Sequence, residues 1–323
     1  MHHTLPAESI DDRSVCGVAP RLIFFFGSMG KDAKNGHRIV SLAPSATSIL
    51  CAIGAMKTLV GVTKWCADVA PVGDLPKLGD CWHMESADEI VRLKPTLVIG
   101  SVPYKQETVA KLLEQPLNFL AMNPRSLADV YADIRMLGGI VGRARAAESF
   151  VTKMRREFAR IEKKSKHCNA KLRVYSEAWP NPRISSPPWV AELVSVCGCK
   201  MVAPFGEKVS DEQVAAAQPE VMILAWAAAG DRASPQKAYE VAAWRDVPAI
   251  RNRRVHVIRD ELLNTPGPPL VSGARELWKL LSEIKRFKPQ GTENAEDAEM
   301  KPSLGMARQD RDRGRARRLA EKR

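Results

Sequence analysis

Two similar half-modules constrain the fold of this chain more than any other feature. The first begins as a buried strand within residues 38–50 (RIVSLAPSATSIL) and reaches a second apolar strand at 96–100 (TLVIG). The other begins within 173–179 (RVYSEAW) and reaches its second apolar strand at 220–226 (EVMILAW). A polar or aromatic turn and a helical pattern follow the first strand in each half. This alternation predicts an α/β fold of two Rossmann-like β/α lobes.

The segment between the halves is predicted to be helical. Apolar residues recur at helical spacing from Leu127 to Val141, although Gly138 and Gly139 interrupt that run. A second amphipathic helix is predicted over residues 144–164. We therefore expect a long helical connector between the lobes and a ligand cleft where the lobes meet.

The composition fits two folded lobes with segments of different character at either end. The chain has 323 residues, of which 45% are apolar, enough for two packed cores. Beyond Phe287 almost no large apolar side chain occurs, which predicts disorder. The predicted parts are an unstructured or misassigned N-terminal extension (1–36), an N-terminal β/α lobe (37–124), the helical connector (125–167), a C-terminal β/α lobe (168–287) and a disordered basic tail (288–323).

The amino-terminal segment does not match a secretory signal. Asp11, Asp12 and Arg13 precede an apolar run of only about six residues, whereas a signal needs a basic start, roughly 7–15 apolar residues and a small-residue cleavage site. Two interpretations follow. Either the start is misplaced, with Met29 as the alternative, or the protein stays in the cytoplasm.

The same patterns predict the individual elements. The predicted strands are 38–42, 59–63, 96–100, 117–121, 172–177, 220–225 and 254–258, and the predicted helices outside the connector are 45–53, 86–93, 105–115, 188–197, 210–217, 235–243 and 268–284. Ser45 and Ser86 are predicted N-caps, and Glu89 would complete a capping box with Ser86.

The net charge of +12 does not indicate a nucleic-acid-binding protein. Residues 288–323 contribute only +3 of it, from 10 basic and 7 acidic side chains, so most of the excess is spread over the folded body. A nucleic-acid reader typically shows a basic stripe with interleaved aromatic residues, and this sequence has none. The longest apolar runs are also far shorter than the roughly 20 residues of a transmembrane helix.

No catalytic or metal-binding motif is present. The chain lacks a nucleophile elbow, a P-loop, a Rossmann glycine fingerprint and an H-E-x-x-H pair. Its seven cysteines form no C-x-x-C pair, and its six histidines share no ligand spacing. Cys66 and Cys81 flank tryptophans and His83 adjoins a predicted cleft loop, but core thiols and a surface histidine are the simpler interpretation. We expect no enzyme activity, no cofactor and no metal site.

Tryptophans mark the predicted cleft. Five of the seven fall at strand-to-helix loops: Trp65, Trp82, Trp179, Trp189 and Trp226. In open α/β sheets ligands bind outside the carboxyl ends of the strands, where these loops converge. Aromatic walls suit a large, flat, partly apolar ligand, because each ring buries much area with few rotors to freeze. The alternative is that two or three of the five simply pack at lobe edges.

Several sequence blocks, in order and spacing, resemble the periplasmic substrate-binding proteins of ABC importers for cobalamin and iron-siderophores. The resemblance covers residues 38–281. Its blocks are RIVSLAPSAT (38–47), LVGVT (59–63), LPKLGD (75–80), LKPTLVI (93–99), WVAELV (189–194), a Cys-Gly-Cys at 197–199 where the family usually has Gly-Gly, and VSDEQV (209–214).

The resemblance implies a helical-backbone, two-lobe binding protein that is periplasmic, monomeric and most similar to the cobalamin-binding branch. By position, Trp65 and Trp82 match aromatic residues that flank the corrin there, and Glu261 stands in the loop before the last helix, where it would meet a polar ligand edge. Family members also present one acid from each lobe to the membrane permease. The matching acids are Asp88 and Glu212, which helix capping alone would also explain.

Two other readings remain open. The first is a siderophore- or haem-binding protein of the same fold, in which Arg183, Arg259 or nearby basic residues would face the cleft and neutralise an anionic chelate. The second is a cytoplasmic protein that handles corrinoids or binds a partner, with the Arg-rich tail as its contact segment. An enzyme that uses Cys66 or Cys81 as a nucleophile lacks an assignable base.

Overall fold

A computed structural model describes residues 36–166, 171–227 and 233–286. The predicted extension before residue 36 and the predicted tail 288–323 lie outside the described residues, so those two predictions stand as they were. Along the described chain, a parallel sheet and a mixed sheet are separated by a pair of long helices.

The first half forms a five-stranded, fully parallel sheet in the order β3-β2-β1-β4-β5. Its strands are β1 (Ile39–Ser41), β2 (Leu59–Thr63), β3 (Lys77–Leu78), β4 (Leu97–Ser101) and β5 (Phe119–Met122), and its helices are α1 (Pro44–Ala52), α2 (Asp88–Arg92) and α3 (Gln106–Leu113). The central strand β1 is buried along its whole length. A strand covered on both faces reads as a continuous apolar run, which is why this sequence segment predicted it.

The connector consists of α4 (Leu127–Ile140) and α5 (Ala144–Ser165). Ser126 caps α4 by accepting the backbone N–H of Asp129 at 3.1 Å. The two glycines that interrupt the apolar run lie within α4, which continues through both of them. Gly138 instead allows close approach of the two connector helices, since a Cβ built on it would lie 2.4 Å from the Cβ of Ala147.

The second half forms a mixed sheet in the order β10-β9-β6-β7, with β8 paired to the start of β6. Its strands are β6 (Arg173–Pro180), β7 (Arg183–Ser185), β8 (Lys200–Met201), β9 (Val221–Leu224) and β10 (Val255–Val257), and its helices are α6 (Pro188–Val196), α7 (Asp211–Ala216), α8 (Pro235–Tyr239), α9 (Pro248–Arg251), α10 (Asp260–Leu263) and α11 (Leu270–Arg286). Only β7 is antiparallel, because it returns from β6 as a hairpin.

One apolar core extends through the helices of both halves. It contains buried residues of α1, α4, α5, α6 and α11, among them Ile49, Val130, Met154, Leu193 and Leu277. Two hydrogen bonds tie the same region together. The backbone N–H of Leu127 donates to Glu192 at 3.1 Å, and the indole of Trp189 donates to the carbonyl of Leu263 at 2.8 Å.

Two of the predicted helix caps are wrong. Helix α1 begins at Pro44, which suits the first helical position because it lacks an N–H, and Ser45 lies inside the helix. Helix α2 begins at Asp88 after Ala87, without a side-chain cap. Ser86 accepts only the N–H of Asp88, at 3.1 Å, so no capping box with Glu89 forms.

Most of the other differences between the predicted and the observed secondary structure concern short elements. The pattern gave no signal for β3, β7, β8, α9 and α10, which have two to four residues each. The predicted helix 235–243 is α8 followed by a separate 3₁₀ turn at Ala242–Trp244. Elements of two to four residues are too short to show a periodic pattern.

The adjacent glycines of α4 provide a stability test. We expect Gly138→Ala to lower the free energy of unfolding by roughly 1–3 kcal/mol, because the new methyl overpacks against the methyl of Ala147. Gly139→Ala is the matched control. A Cβ there meets nothing within 4 Å, so we expect a gain of about 1 kcal/mol from helix propensity. Urea unfolding of both variants measures the difference, and equal effects would contradict the proposed helix contact.

Candidate ligand-binding cleft

A cavity of about 530 Å³ lies at the carboxyl edge of the first sheet. Its lining consists of Lys64, Trp65, Leu78, Gly79, Asp80 and His83. The first two belong to the 3₁₀ turn Lys64–Asp68 that follows β2, and the others follow or end β3. Because β2 and β3 are neighbouring parallel strands, their carboxyl ends meet at one edge of the sheet.

The carboxylate of Asp80 organises this wall. Its Oδ1 accepts the backbone N–H of Trp82 at 2.8 Å and that of His83 at 2.7 Å. Its Oδ2 accepts the indole N–H of Trp65 at 3.2 Å. The imidazole Nδ1 of His83 lies 3.5 Å from Oδ1. One side chain therefore fixes both tryptophans that were predicted for the first lobe, a role that no sequence pattern predicted.

The two indoles of this wall differ in exposure. Trp65 is half-buried, and the ammonium of Lys64 lies 4.5 Å from its ring centre. Trp82 is 46% exposed, a high value for so large an apolar side chain. The ring of Trp82 therefore offers the larger accessible apolar face.

The thiols beside these tryptophans are buried in the fold. Cys66 and Cys81 are both buried, and Cys66 contacts the hydroxyl of Thr47 at 3.1 Å. Burial raises the pKa of both thiols, that of Cys81 to about 12. A thiol of this kind is protonated at neutral pH and is a poor nucleophile. Both cysteines thus fit the simpler interpretation of wall-packing residues.

On the second sheet, two aromatic side chains are exposed at the carboxyl edge. Trp179, at the end of β6, is 41% exposed and donates its indole N–H to the carbonyl of Asn181 at 2.8 Å. Phe205 follows β8 and is 44% exposed. Phe205 was not among the predicted cleft residues, because that prediction rested on the positions of tryptophans alone. A lone aromatic in the otherwise small and polar loop 203–208 was the available signal.

The other two tryptophans predicted for this lobe lie inside it. Trp189 is 3% exposed and Trp226 is 5% exposed. Their indole N–H groups are used internally, by the carbonyl of Leu263 and by Oε1 of Glu177, each at 2.8 Å. In this conformation neither ring has an accessible face, so the structure does not bring them to the same wall as Trp179.

Beneath Trp179, a fully buried carboxylate of β6 forms the centre of a hydrogen-bond network. Glu177 accepts the hydroxyl of Tyr175 at 2.8 Å, the guanidinium of Arg183 at 2.5 Å and the indole of Trp226. Burial raises the pKa of Glu177, and the contact with Arg183 opposes that rise. Three donors on one buried carboxylate make this a rigid support.

The guanidinium of Arg183 is held by two carboxylates of the protein. Its Nε donates to Asp211 at 2.7 Å while its Nη1 donates to Glu177, and the group lies 4.2 Å from the ring centre of Trp244. The other arginine considered for an anionic ligand, Arg259, is exposed and pairs with Glu261. Arg183 is thus neutralised by protein carboxylates.

The acids predicted to dock a permease lie on the surface. Asp88 and Glu212 are exposed and stand in the first turns of α2 and α7. The hydroxyl of Ser210 lowers the pKa of Glu212. Ser210 also forms a full capping box with Gln213. Neither Asp88 nor Glu212 is the capping residue; both lie in a first turn, where the helix dipole favours a carboxylate, and both remain accessible.

Two further properties bear on function. Within residues 36–166, 171–227 and 233–286, no three His, Cys, Asp or Glu side chains are placed to hold a metal ion. Across that same portion of the chain, no helix has both the length and the apolar content needed to cross a bilayer.

Residues 39–262 match the periplasmic binding protein family, and the chain belongs to it. Members of this family are substrate-binding proteins of transport systems rather than enzymes, so the family assignment confirms the predicted class. The fold is likewise the two-lobe α/β architecture that the half-modules predicted.

Individual relatives share about a quarter of their residues with this chain. An uncharacterized ABC transporter substrate-binding lipoprotein of Bacillus subtilis is 25% identical over 256 residues, covering 76% of this chain and 79% of that protein. A vitamin B12-binding protein of Pectobacterium carotovorum is 26% identical over 261 residues, covering 77% and 89%. The solved periplasmic heme-binding protein of Roseiflexus has the same fold, with a TM-score of 0.65 at 23% identity, and the match covers 78% of this chain and all of that one.

The buried pair beneath Trp179 can be tested by substitution. We expect Arg183→Met to lower the free energy of unfolding by about 3–5 kcal/mol, because the carboxylate of Glu177 is left buried without its cation. Arg135→Met is the matched control. It breaks a pair of similar length, 2.6 Å to Glu148, on the exposed surface, so we expect a loss below about 1 kcal/mol. Thermal or urea unfolding measures both, and equal losses would show that the buried network does not stabilise the lobe.

Proposed function

We propose that this protein captures cobalamin or a related corrinoid in the cleft between its lobes and delivers it to an ABC importer. The observation that carries the proposal is the wall organised by Asp80, where one carboxylate holds the indole of Trp65 and the backbone of Trp82. The sequence relatives described as vitamin B12-binding proteins support it. The lipoprotein relative and the family support a periplasmic or outer-surface location.

The shape and chemistry of the walls favour a flat macrocycle. Trp65 and Trp82 on one lobe, with Trp179 and Phe205 on the other, offer apolar faces that a broad ring would cover. Burial of those faces supplies affinity, and a few polar groups fix orientation. Lys64 and Asp80 at the cavity can meet amide or phosphate groups on the rim of the ligand. Glu261, whose side chain is largely buried beside Arg259, is proposed as a further rim contact.

A haem or siderophore ligand is the second candidate, favoured by the fold shared with a heme-binding protein. An anionic chelate needs cations that are not already neutralised. Arg183 is engaged by two carboxylates, which leaves Lys64 as the basic side chain that lines the cavity. This charge distribution favours a ligand whose rim is mostly neutral.

Delivery to a permease is proposed to use the acids of the two lobes. Asp88 and Glu212 are exposed on different lobes, as a docking surface that engages both lobes at once would need. No chemistry on the ligand is required, and a single chain contains both walls. We therefore propose that the protein acts as a monomer and has no resident cofactor.

Ligand titration tests the binding proposal. We expect saturable binding of cyanocobalamin at micromolar or lower concentration, and weaker binding of haemin and of a ferric hydroxamate siderophore. Trp82→Ala and Trp179→Ala should each weaken cyanocobalamin binding about tenfold or more, because each removes roughly 1–3 kcal/mol of apolar contact. Trp278→Phe, on α11, is the control and should leave affinity unchanged. Tighter binding of haemin than of cyanocobalamin would favour the second candidate.

Charge reversal tests the docking proposal. We expect the double variant Asp88→Lys with Glu212→Lys to bind cyanocobalamin as the unchanged protein does, but to fail in transport. The measurement is uptake of labelled cyanocobalamin into proteoliposomes that contain the cognate importer. Glu276→Lys, which reverses an exposed acid of α11, is the matched control. Full uptake with the double variant would contradict the docking proposal. The two acids would then have only the role that their position in the first turn of a helix gives them.

A further inference from the structure

We propose that Gly267 sets how closely the two lobes approach each other, and that this spacing sets the width of the ligand cleft. Gly267 lies in the loop 264–269, between α10 and α11 of the second half. The inference concerns the support beneath the walls rather than a contact with the ligand. Its geometry is independent of the ligand, while its effect on affinity rests on the proposed function.

The loop that contains Gly267 packs directly against helix α1 of the first half. A Cβ built on Gly267 would lie 3.1 Å from the hydroxyl oxygen of Ser48, 3.5 Å from Cγ1 of Ile49 and 3.6 Å from the carbonyl oxygen of Ser45. All four residues are buried. Of the three distances, only the first is shorter than an ordinary van der Waals contact. Even a methyl group at position 267 would therefore push against Ser48.

This contact lies at the carboxyl edges of both sheets. Helix α1 begins at Pro44, shortly after β1 ends at Ser41. On the other side, the side-chain amide of Asn264 donates to the carbonyl of Ala225, the residue after β9, at 2.6 Å. The proposed ligand walls lie at the same two edges. A change in separation at this contact is therefore passed on to the walls.

The loop is fixed to the second half at both ends. At its start, the carbonyl of Leu263 accepts the indole N–H of Trp189 at 2.8 Å, in addition to the bond from Asn264 to Ala225. At its end, the carbonyl of Gly267 accepts the backbone N–H of Leu270 at 3.1 Å. A loop held in this way cannot move far from α1 to make room for a new side chain. The first lobe must move instead.

Residues on both sides of the contact carry buried polar atoms without a partner. Among the described residues, the hydroxyl of Ser45 and Oδ1 of Asn264 have no hydrogen-bond partner. Burial of an unpartnered polar atom is unfavourable, and separation of the lobes would let water reach both atoms. The contact thus acts as a limit to closure rather than as a permanent seal.

The spacing of the walls affects how strongly they hold a ligand. Dispersion attraction falls steeply with distance, and a gap of about 0.5–1 Å between packed surfaces loses roughly a quarter to a half of it. A ligand held between Trp82 and Trp179 depends on that gap. A wider spacing should weaken the binding of a corrinoid with a small upper axial ligand and should disturb one with a bulky upper ligand less. Gly267 is therefore a positioning residue for the two walls.

A double-variant cycle with two corrinoids tests the inference. We expect Gly267→Ala to weaken cyanocobalamin binding about tenfold, and binding of adenosylcobalamin, whose upper ligand is bulkier, by less than about twofold. Ser48→Ala removes the oxygen nearest to the new methyl. Alone it should leave both affinities unchanged, and combined with Gly267→Ala it should restore cyanocobalamin binding. Gly139→Ala, whose Cβ meets no atom within 4 Å, is the matched control and should bind both corrinoids normally.

Crystal structures without ligand test the spacing itself. We expect the Cα atoms of Trp82 and Trp179 to be further apart in Gly267→Ala than in the unchanged protein and in the double variant, compared in the same crystal form. An unchanged separation, an equal loss of affinity for both corrinoids, or no recovery in the double variant would disprove the role of Gly267 while corrinoid capture stands. If neither corrinoid binds the unchanged protein, the proposed function fails, and the crystal structures alone decide this inference.

Discussion

The geometry of the cleft depends on one apolar core that the two halves share. Ile49 of the first half, Met154 of the connector, and Leu193 and Leu277 of the second half are buried in the same cluster. Burial of apolar surface stabilises by about 25 cal/mol per Å². Because this core is close-packed and built from residues of both halves, separating the halves would expose it. We therefore expect the walls to adjust to a ligand by small movements around a stiff helical support.

In each half, one carboxylate accepts a hydrogen bond from a tryptophan indole. The two carboxylates differ in burial, because Asp80 is partly exposed and Glu177 is fully buried. Asp80 binds Trp65 and the backbone of the exposed Trp82, and it has only N–H partners and an imidazole. Glu177 binds Trp226, and because it is fully buried it also needs the guanidinium of Arg183. The first arrangement leaves aromatic faces accessible. The second converts an arginine and a tryptophan into internal supports beneath Trp179.

The sequence predicted the alternation of the lobes well because buried parallel strands and amphipathic connector helices have strong local periodicity. It also placed Trp65 in the loop after strand 59–63 and Trp82 before the helix that follows, and the structure has both tryptophans in loops. It could not separate exposed Trp179 from buried Trp189, since exposure depends on contacts distant in sequence, such as that between Trp189 and Leu263. The hydrogen bonds of Asp80 to Trp65 and Trp82 could not be predicted for the same reason. Its partner Trp65 lies 15 residues away and is brought near only by the pairing of β2 with β3.

The charges around the cleft bear on the ligand more than the net charge of the chain does. A body with an excess of basic residues attracts anions in general, yet at the second wall Arg183 is neutralised by two acids. At the first wall Asp80 is matched by N–H dipoles, with Lys64 nearby. Among the described side chains of these two walls, a strongly anionic chelate would find few unpaired cations, and its carboxylates would lose hydration without compensation. A corrinoid has a rim of neutral amides and a broad apolar face, so it loses less on desolvation.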